Sequence, residues 1–203
     1  SDVCSSDLFN KNLGDNMLEI RWHSRAGQGA VTGAKGLASV LAETGKQVQA
    51  FSFYGSAKRG AAMTAYNRVD DNELLNHERY MCPNYVFVID PGLAFTDNIT
   101  EDCNDETQYI ITTHLSKDEL ISLIPALQGK ESQVFTVDML KISQETIGRP
   151  IPNTPALGAF LKLSGILDIN DFKEAMKIIL GKLPEKIIDA NMLAIQRAYD
   201  EVK

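Results

Sequence analysis

Cysteine and histidine are scarce in this chain, with three of each among 203 residues. Cys4, Cys82 and Cys103 form no C-x-x-C pair and stand at no metal-ligand spacing from His23, His77 or His114. The sequence therefore predicts neither a zinc site nor an iron–sulfur cluster, and no metal ligand of its own. Positive charge is also in deficit: 20 lysines and arginines face 27 acidic residues, for a formal charge of −7 and a pI near 5.0. A nucleic-acid binder needs a basic face to neutralise phosphates, so nucleic acid is excluded as a partner. Acidity of this size serves solubility. Long hydrophobic runs are missing as well: none approaches the roughly 18–20 residues of a transmembrane helix. No charged-then-apolar leader opens the chain. No membrane partner and a reducing cytoplasmic setting are the resulting expectations.

What is present is a composition of 44% apolar and 23% charged residues, which fits one domain with a sizeable core and argues against disorder. The organised pattern starts abruptly at Met17. Residues 1–16, SDVCSSDLFNKNLGDN, have no periodicity and too little apolar content to pack, and read as a non-native or disordered extension. Cys4 thereby leaves the functional argument. Residues 17–203 read as one domain, with no linker or repeat.

From Met17 onward, short β-rich runs alternate with helical patterns, which predicts an α/β fold: a single Rossmann-like layered domain, mostly parallel in its sheet, with helices on both faces and a helical C-terminal quarter. The predicted strands are LEIRW (18–22), QVQAFSF (47–53), AMTAYNRV (62–69), YVFVI (85–89), QYIIT (108–112) and QVFTV (133–137). The uninterrupted VFVI suits a central strand buried on both faces. The more mixed AMTAYNRV, close behind its predecessor, reads as an antiparallel or edge addition. Ser116 and Glu119 have capping-box spacing at the start of SKDELISLI. PALGAFLKLSG, INDFKEAMKIILG and LPEKIIDANMLAIQRAYDEV read as three further helices, the last with Pro184 near its start.

Two loops stand out. In RWHSRAGQGAVTGAKGLA, Gly27 and Gly29 follow a strand and open a helix over 31–44 whose first N–H groups favour an anion. The spacing from Gly27 through Gly29 to Gly33 is one residue longer than the dinucleotide fingerprint, and QVQAFSFYG offers no acid to grip a ribose. No G-K-[ST] phosphate loop exists, because Lys35 does not directly follow Gly33. Two readings stay open for these glycines: an anion cradle, or tight packing of the first helix on the sheet. In the second loop, Gly55 and Gly60 bracket Lys58 and Arg59 directly after a strand, where α/β folds usually bind ligands. Its two readings are an anion-facing element and a solvated turn. His23, a single imidazole on a strand, is assigned a structural place, and no catalytic residue is predicted. A free-standing Rossmann-like nucleotide-binding protein and a ligand-free interaction domain are the alternatives at this level.

IRWHSRAGQGAVTGAKGLA followed by GKQVQAFSFYGSAKRGAAMTAYNRV resembles the gamma subunit, or gamma domain, of the 2-oxoacid:ferredoxin oxidoreductases, of which pyruvate:ferredoxin oxidoreductase is the best known. The family's first motif runs roughly G-R-G-G-Q-G into a helix and falls on Ser24 to Gly29. Its second passes a phenylalanine-glycine turn to an arginine-glycine pair and falls on Phe53 to Ala61. The resemblance continues through PNTPALGAFLKLSGIL and the final helix with Asn191. Ser24, Ala26 and the Ser56–Lys58 segment depart from the pattern, while Gln28, Gly29, Arg59 and Gly60 match it. The resemblance implies a cytoplasmic complex that oxidatively decarboxylates a 2-oxo acid, pyruvate or an indolepyruvate, branched-chain, 2-oxoglutarate or arylglyoxylate counterpart, to an acyl-coenzyme A while reducing ferredoxin. It implies thiamine diphosphate with magnesium and iron–sulfur clusters on alpha, beta and ferredoxin-like delta chains, and an isolated gamma chain without activity. For this chain it implies a part in assembly and coenzyme A access, with Gln28, Gly29, Arg59 and Gly60 carried over as cofactor-facing positions, to which the reading of the two loops themselves adds Gly27 and Lys58.

Overall fold

The sequence LEIRWHSR alternates side chains across a strand, so Leu18, Ile20 and Trp22 share one face while Glu19, Arg21 and His23 share the other. In the computed structural model, which describes residues 17–54, 60–74 and 82–203, this strand, β1 (Leu18–Arg25), lies at the centre of a six-stranded sheet. Helix α1 (Ala30–Glu43) carries the chain over the first face to β2 (Gln47–Tyr54) at one edge, and β3 (Ala62–Asp70) returns between β2 and β1. Next come β4 (Tyr85–Val88), α2 (Leu93–Thr96), β5 (Gln108–Thr112), α3 (Lys117–Leu123), β6 (Val134–Val137) and α4 (Met139–Thr146). Helices α5 (Asn153–Ser164), α6 (Ile169–Ile179) and α7 (Glu185–Glu201) form the C-terminal quarter.

All six predicted strands form, in the order β2-β3-β1-β4-β5-β6. β1, β4, β5 and β6 pair in parallel, whereas β3 runs antiparallel to both its neighbours. The antiparallel reading of AMTAYNRV is therefore met, and its position is internal; β2 is the edge. The cause is connection length. The loop after β2 is too short for a crossover helix, so β3 must turn straight back. It fills the slot that α1 left open by carrying β2 one strand beyond β1.

Helices cover both faces. The first holds Ile20, Trp22, Ala65, Phe87 and Ile110 against α1, α5, α6 and α7. The second holds Val86, Val88, Tyr109, Ile111 and Val134 against α2 and α3. As VFVI predicts, β4 is buried throughout. The predicted capping box closes the N-terminus of α3: Ser116 accepts from the Glu119 amide while Glu119 accepts from the Ser116 amide. Helix α4 escapes the periodic reading because it is short and little of it is apolar. It is set by Asp138, whose carboxylate accepts from the Lys141 amide. At the far edge, Lys203 exchanges backbone hydrogen bonds with Thr136 of β6 at 2.9 and 3.1 Å, so the chain's last residue covers that strand's outer side. No described helix is long and apolar enough to cross a membrane.

Helices α5 and α7 touch at Gly158, where a Cβ would lie 2.0 Å from the Ile195 carbonyl oxygen. In a free helix Gly→Ala gains about 1 kcal/mol of propensity. Here it drives a methyl into backbone that can yield only by parting the helices, and overpacking costs about 1–3 kcal/mol. Gly158→Ala should therefore lower the unfolding free energy and midpoint in urea; a stabilised variant would show that the two helices separate freely.

Candidate functional site

Strand β1 ends in Ser24 and Arg25, and the chain must then reverse into α1. Gly27 (φ +101°) and Gly29 (φ +91°) accomplish this with left-handed backbone, a region that costs other L-residues about 1–2 kcal/mol. The two glycines meet different surroundings. A Cβ on Gly27 would meet nothing within 4 Å, whereas one on Gly29 would sit 3.0 Å from Asn153 Nδ2. Gly33 is closed in likewise, with Asn153 Cβ at 3.3 Å and the Trp22 ring at 3.4 Å. The packing reading of the glycine motif is met at Gly29 and Gly33, which seat α1 against α5 and β1, while Gly27 has open space beside it. No side chain caps α1, and no acidic residue stands in its first turn, so its N-terminal amides project positive potential.

Gln28 braces the turn from within. Its Oε1 accepts from the Arg25 amide at 2.8 Å and from Ser24 Oγ at 3.3 Å, while Nε2 donates to Asp90 Oδ2. Asp90 stands just beyond the end of β4, is 8% exposed, and also receives the Arg25 guanidinium at 3.4 Å and the Leu93 amide at 3.2 Å. The turn after β1 leads to a helix on the first face, and the turn after β4 leads to α2 on the second. Their meeting point is a topological switch point, the crevice where open α/β sheets bind ligands.

The two loops singled out in the sequence meet here. The Ala26 amide donates to the Ala61 carbonyl at 3.1 Å, and Arg25 Nη1 donates to the Gly60 carbonyl at 3.3 Å. Gly60 is left-handed at φ +79°, with nothing within 4 Å of a Cβ. Lys58 and Arg59 lie outside the described residues. Asp90 and Asn153 went unread in the sequence. The signal for Asp90 was an acid directly after the most apolar strand; the signal for Asn153 was PNTP opening a helix. Thr154 beside it donates to Asn191 Oδ1 at 3.0 Å, tying α5 to α7 within the segment that carried the resemblance.

His23 occupies the structural place expected of it. It is 4% exposed on the second face, and its Nδ1 is 2.5 Å from Asp97 Oδ2. That hydrogen bond, ahead of opposing desolvation, holds the Asp97 carboxyl below its ordinary value of 3.8. Around it, Arg68 donates to Glu19 Oε1 from Nε at 3.0 Å and Nη2 at 2.7 Å. Burial pushes the Glu19 carboxyl up, and the Arg68 bonds pull it part of the way back. Arg21, 1% exposed, donates from Nη2 to the carbonyls of Ile99 and Glu101 at 3.0 and 2.8 Å.

Two measurements check this geometry. Gly29→Ala adds both left-handed strain and a 3.0 Å contact with Asn153. It should destabilise by about 1–3 kcal/mol, and Asn153→Ala, which removes the amide but keeps the Cβ at 3.2 Å, should recover only a fraction of that in a double-mutant cycle; full recovery would mean that the backbone is unstrained. Asp97 has a depressed folded pKa, so its contribution is complete above 3.8 and is lost as pH falls through the depressed value. A pH series of melting temperatures should show a shallower acid limb for Asp97→Asn than for the parent; parallel limbs would remove the His23 contact as its cause.

The family model described as pyruvate ferredoxin/flavodoxin oxidoreductase matches residues 19–201. The pyruvate synthase subunit PorC of Methanothermobacter thermautotrophicus is 38% identical over 187 residues, which cover 92% of this chain and 97% of that one. The pyruvate/ketoisovalerate oxidoreductases common subunit gamma of Thermococcus kodakarensis is 39% identical over 186 residues, covering 91% and 97%. The crystal structure of the pyruvate oxidoreductase subunit PORC of Thermotoga maritima superposes with a TM-score of 0.79 at 35% identity, over 93% of this chain and 98% of that one. Matched along nearly its whole described length, in sequence and in fold, the chain belongs to the pyruvate ferredoxin/flavodoxin oxidoreductase family.

Proposed function

We propose that this chain is the gamma subunit of a thiamine diphosphate-dependent 2-oxoacid:ferredoxin oxidoreductase, with pyruvate the foremost substrate, and that it contributes to assembly and to coenzyme A access. The observation that carries the reading is the uncapped N-terminus of α1 beside the open Gly27, hydrogen-bonded through Arg25 and Ala26 to the strand end that follows Lys58 and Arg59. An anionic group entering there would meet helix amides and, in Arg59, a planar fork suited to phosphate.

The residues fit the cofactors unequally. Coenzyme A offers phosphates, and Gly27, Gly29, Lys58, Arg59 and Gly60 would hold them, with Gln28 bracing the turn through Asp90. A magnesium-bound diphosphate or an iron–sulfur cluster needs clustered carboxylates or thiolates, and among the described residues no group of three or more His, Cys, Asp or Glu could hold a metal ion. Those groups belong to the alpha, beta and ferredoxin-like delta chains on this reading. The work of this chain is binding and orientation: it presents fixed donors to an anion in a crevice with a braced floor, and leaves proton and electron transfer to its partners.

The test uses the complex reconstituted from all its subunits. The isolated chain should show no turnover with 2-oxo acids, coenzyme A, thiamine diphosphate and a viologen dye. In the complex, Arg59→Ala removes a charge-assisted contact of about 1.5–3 kcal/mol, which is roughly a tenfold to hundredfold rise in the coenzyme A requirement. Coenzyme-independent decarboxylation should stay intact. Loss of the subunit from the complex would move Arg59 to an interface; no change in coenzyme A dependence, retention or decarboxylation would make the loop a solvated turn.

A further inference from the structure

The second face of the sheet holds a side-chain cluster that the crevice does not use. Arg21 of β1 pairs in register with Val86 of β4, and Val86 with Tyr109 of β5, so Arg21 and Tyr109 stand in one cross-strand row, two strands apart on the same face. Both are closed to solvent, at 1% and 0% exposure. Cys103, a free and half-buried thiol in the loop that joins α2 to β5, lies against both. Arg21 Nη2 is 3.2 Å from its Sγ. Burial, and after it the Cys103 side chain, holds the Tyr109 hydroxyl well above its ordinary pKa of 10.0, so the phenol faces the same sulfur. The hydroxyl still reaches no hydrogen-bonded geometry with any described residue, and Arg21 Nε and Nη1 are likewise buried and unpaired.

Donors therefore outnumber acceptors around this sulfur. Nη2 shares the carbonyls of Ile99 and Glu101 with the thiol, which donates to them at 3.7 and 3.4 Å. Arg21 makes no ion pair among the described residues, and sulfur itself is a weak acceptor. A buried guanidinium with two unused nitrogens and a buried phenol thus surround an atom that becomes a strong acceptor on gaining one oxygen.

We propose that Cys103 is a redox-modification site, at which a hydroperoxide oxidises the thiol to a sulfenic acid that Arg21 and Tyr109 hold by hydrogen bonds. The proposal does not depend on the gamma-subunit reading. With hydrogen peroxide, the sulfur attacks one peroxide oxygen: the S–O bond forms, the O–O bond breaks, and the thiol proton leaves with the second oxygen as water. Sulfur loses two electrons and the peroxide gains them. The fixed guanidinium stabilises the negative charge that shifts from sulfur to oxygen in this step. A dithiol reverses it, returning the thiol and leaving water and the disulfide of the reductant.

The experiment exposes the full chain to dilute hydrogen peroxide, traps sulfenic acid with dimedone and times the labelling of Cys103 by peptide mass spectrometry, beside free cysteine at the same pH. Cys103 should react about tenfold faster than free cysteine, and dithiothreitol given before dimedone should restore the thiol. Adding dimedone after a delay reads the lifetime of the sulfenic acid. Tyr109→Phe removes only an unpaired hydroxyl, so its melting temperature should match the parent while that lifetime shortens about fivefold. Arg21→Gln should bring the rate down to that of free cysteine; where that variant melts far below the parent, Tyr109→Phe decides. Labelling no faster than free cysteine, label confined to other cysteines, or direct passage to sulfinic acid overturns the proposal. An unchanged lifetime in Tyr109→Phe overturns it as well, since the site then holds no oxygen.

Discussion

The position of the candidate site depends on one buried hydrogen-bond relay. Trp22 Nε1 donates to Asn67 Oδ1 at 2.9 Å, and Asn67 Nδ2 donates to the Ala34 carbonyl at 2.8 Å. The relay joins β1, β3 and α1, all fully buried at these residues. The indole also stacks on Phe87 of β4, with ring centroids 4.3 Å apart, and closes in on Gly33. A polar atom left unpaired at this depth costs about 1–3 kcal/mol, so the three groups enforce one arrangement. Sliding α1 along the sheet would break the Ala34 bond, and shifting β3 by one residue would turn Asn67 to the other face.

From that anchor the geometry of the turn follows outward. Once α1 is held at Ala34 and Gly33, its first residue must start where β1 ends, and only the left-handed glycines span the gap. Gln28 and Asp90 then join the turn to β4, while Asn153 seals its far side from α5. The turn is therefore braced on both sides by contacts within the chain itself. Gly27 alone in the turn keeps open space around its Cα.

The second face follows another logic. Glu19, Arg21, His23 and Arg68 are all less than a tenth exposed, where an alternating strand would ordinarily turn charge toward water. Burial is sustained by pairing: Glu19 with Arg68, His23 with Asp97, and Arg21 with the carbonyls of Ile99 and Glu101. Such pairs contribute little net stability against well-packed apolar residues, yet breaking one strands a buried charge. This half of the sheet accordingly tolerates little change.

Local sequence determined the elements themselves. Short β-rich runs set between helical patterns placed all six strands, the capping-box spacing of Ser116 and Glu119 placed α3, and two long motifs in order indicated the family, because each of these signals is carried by neighbours in the chain. What only the tertiary structure decided is what distant segments do to one another. It put β3 inside the sheet, Asn153 against Gly29 and Gly33, Asp90 beneath Gln28, and Glu19, Arg21 and His23 out of water. It also divided the glycine motif, giving Gly29 and Gly33 to packing and leaving Gly27 open. The physical reason is that a strand's face is set by its own pleat, whereas its neighbour, its register and the burial of its polar side chains are set by long-range pairing and by what packs above it.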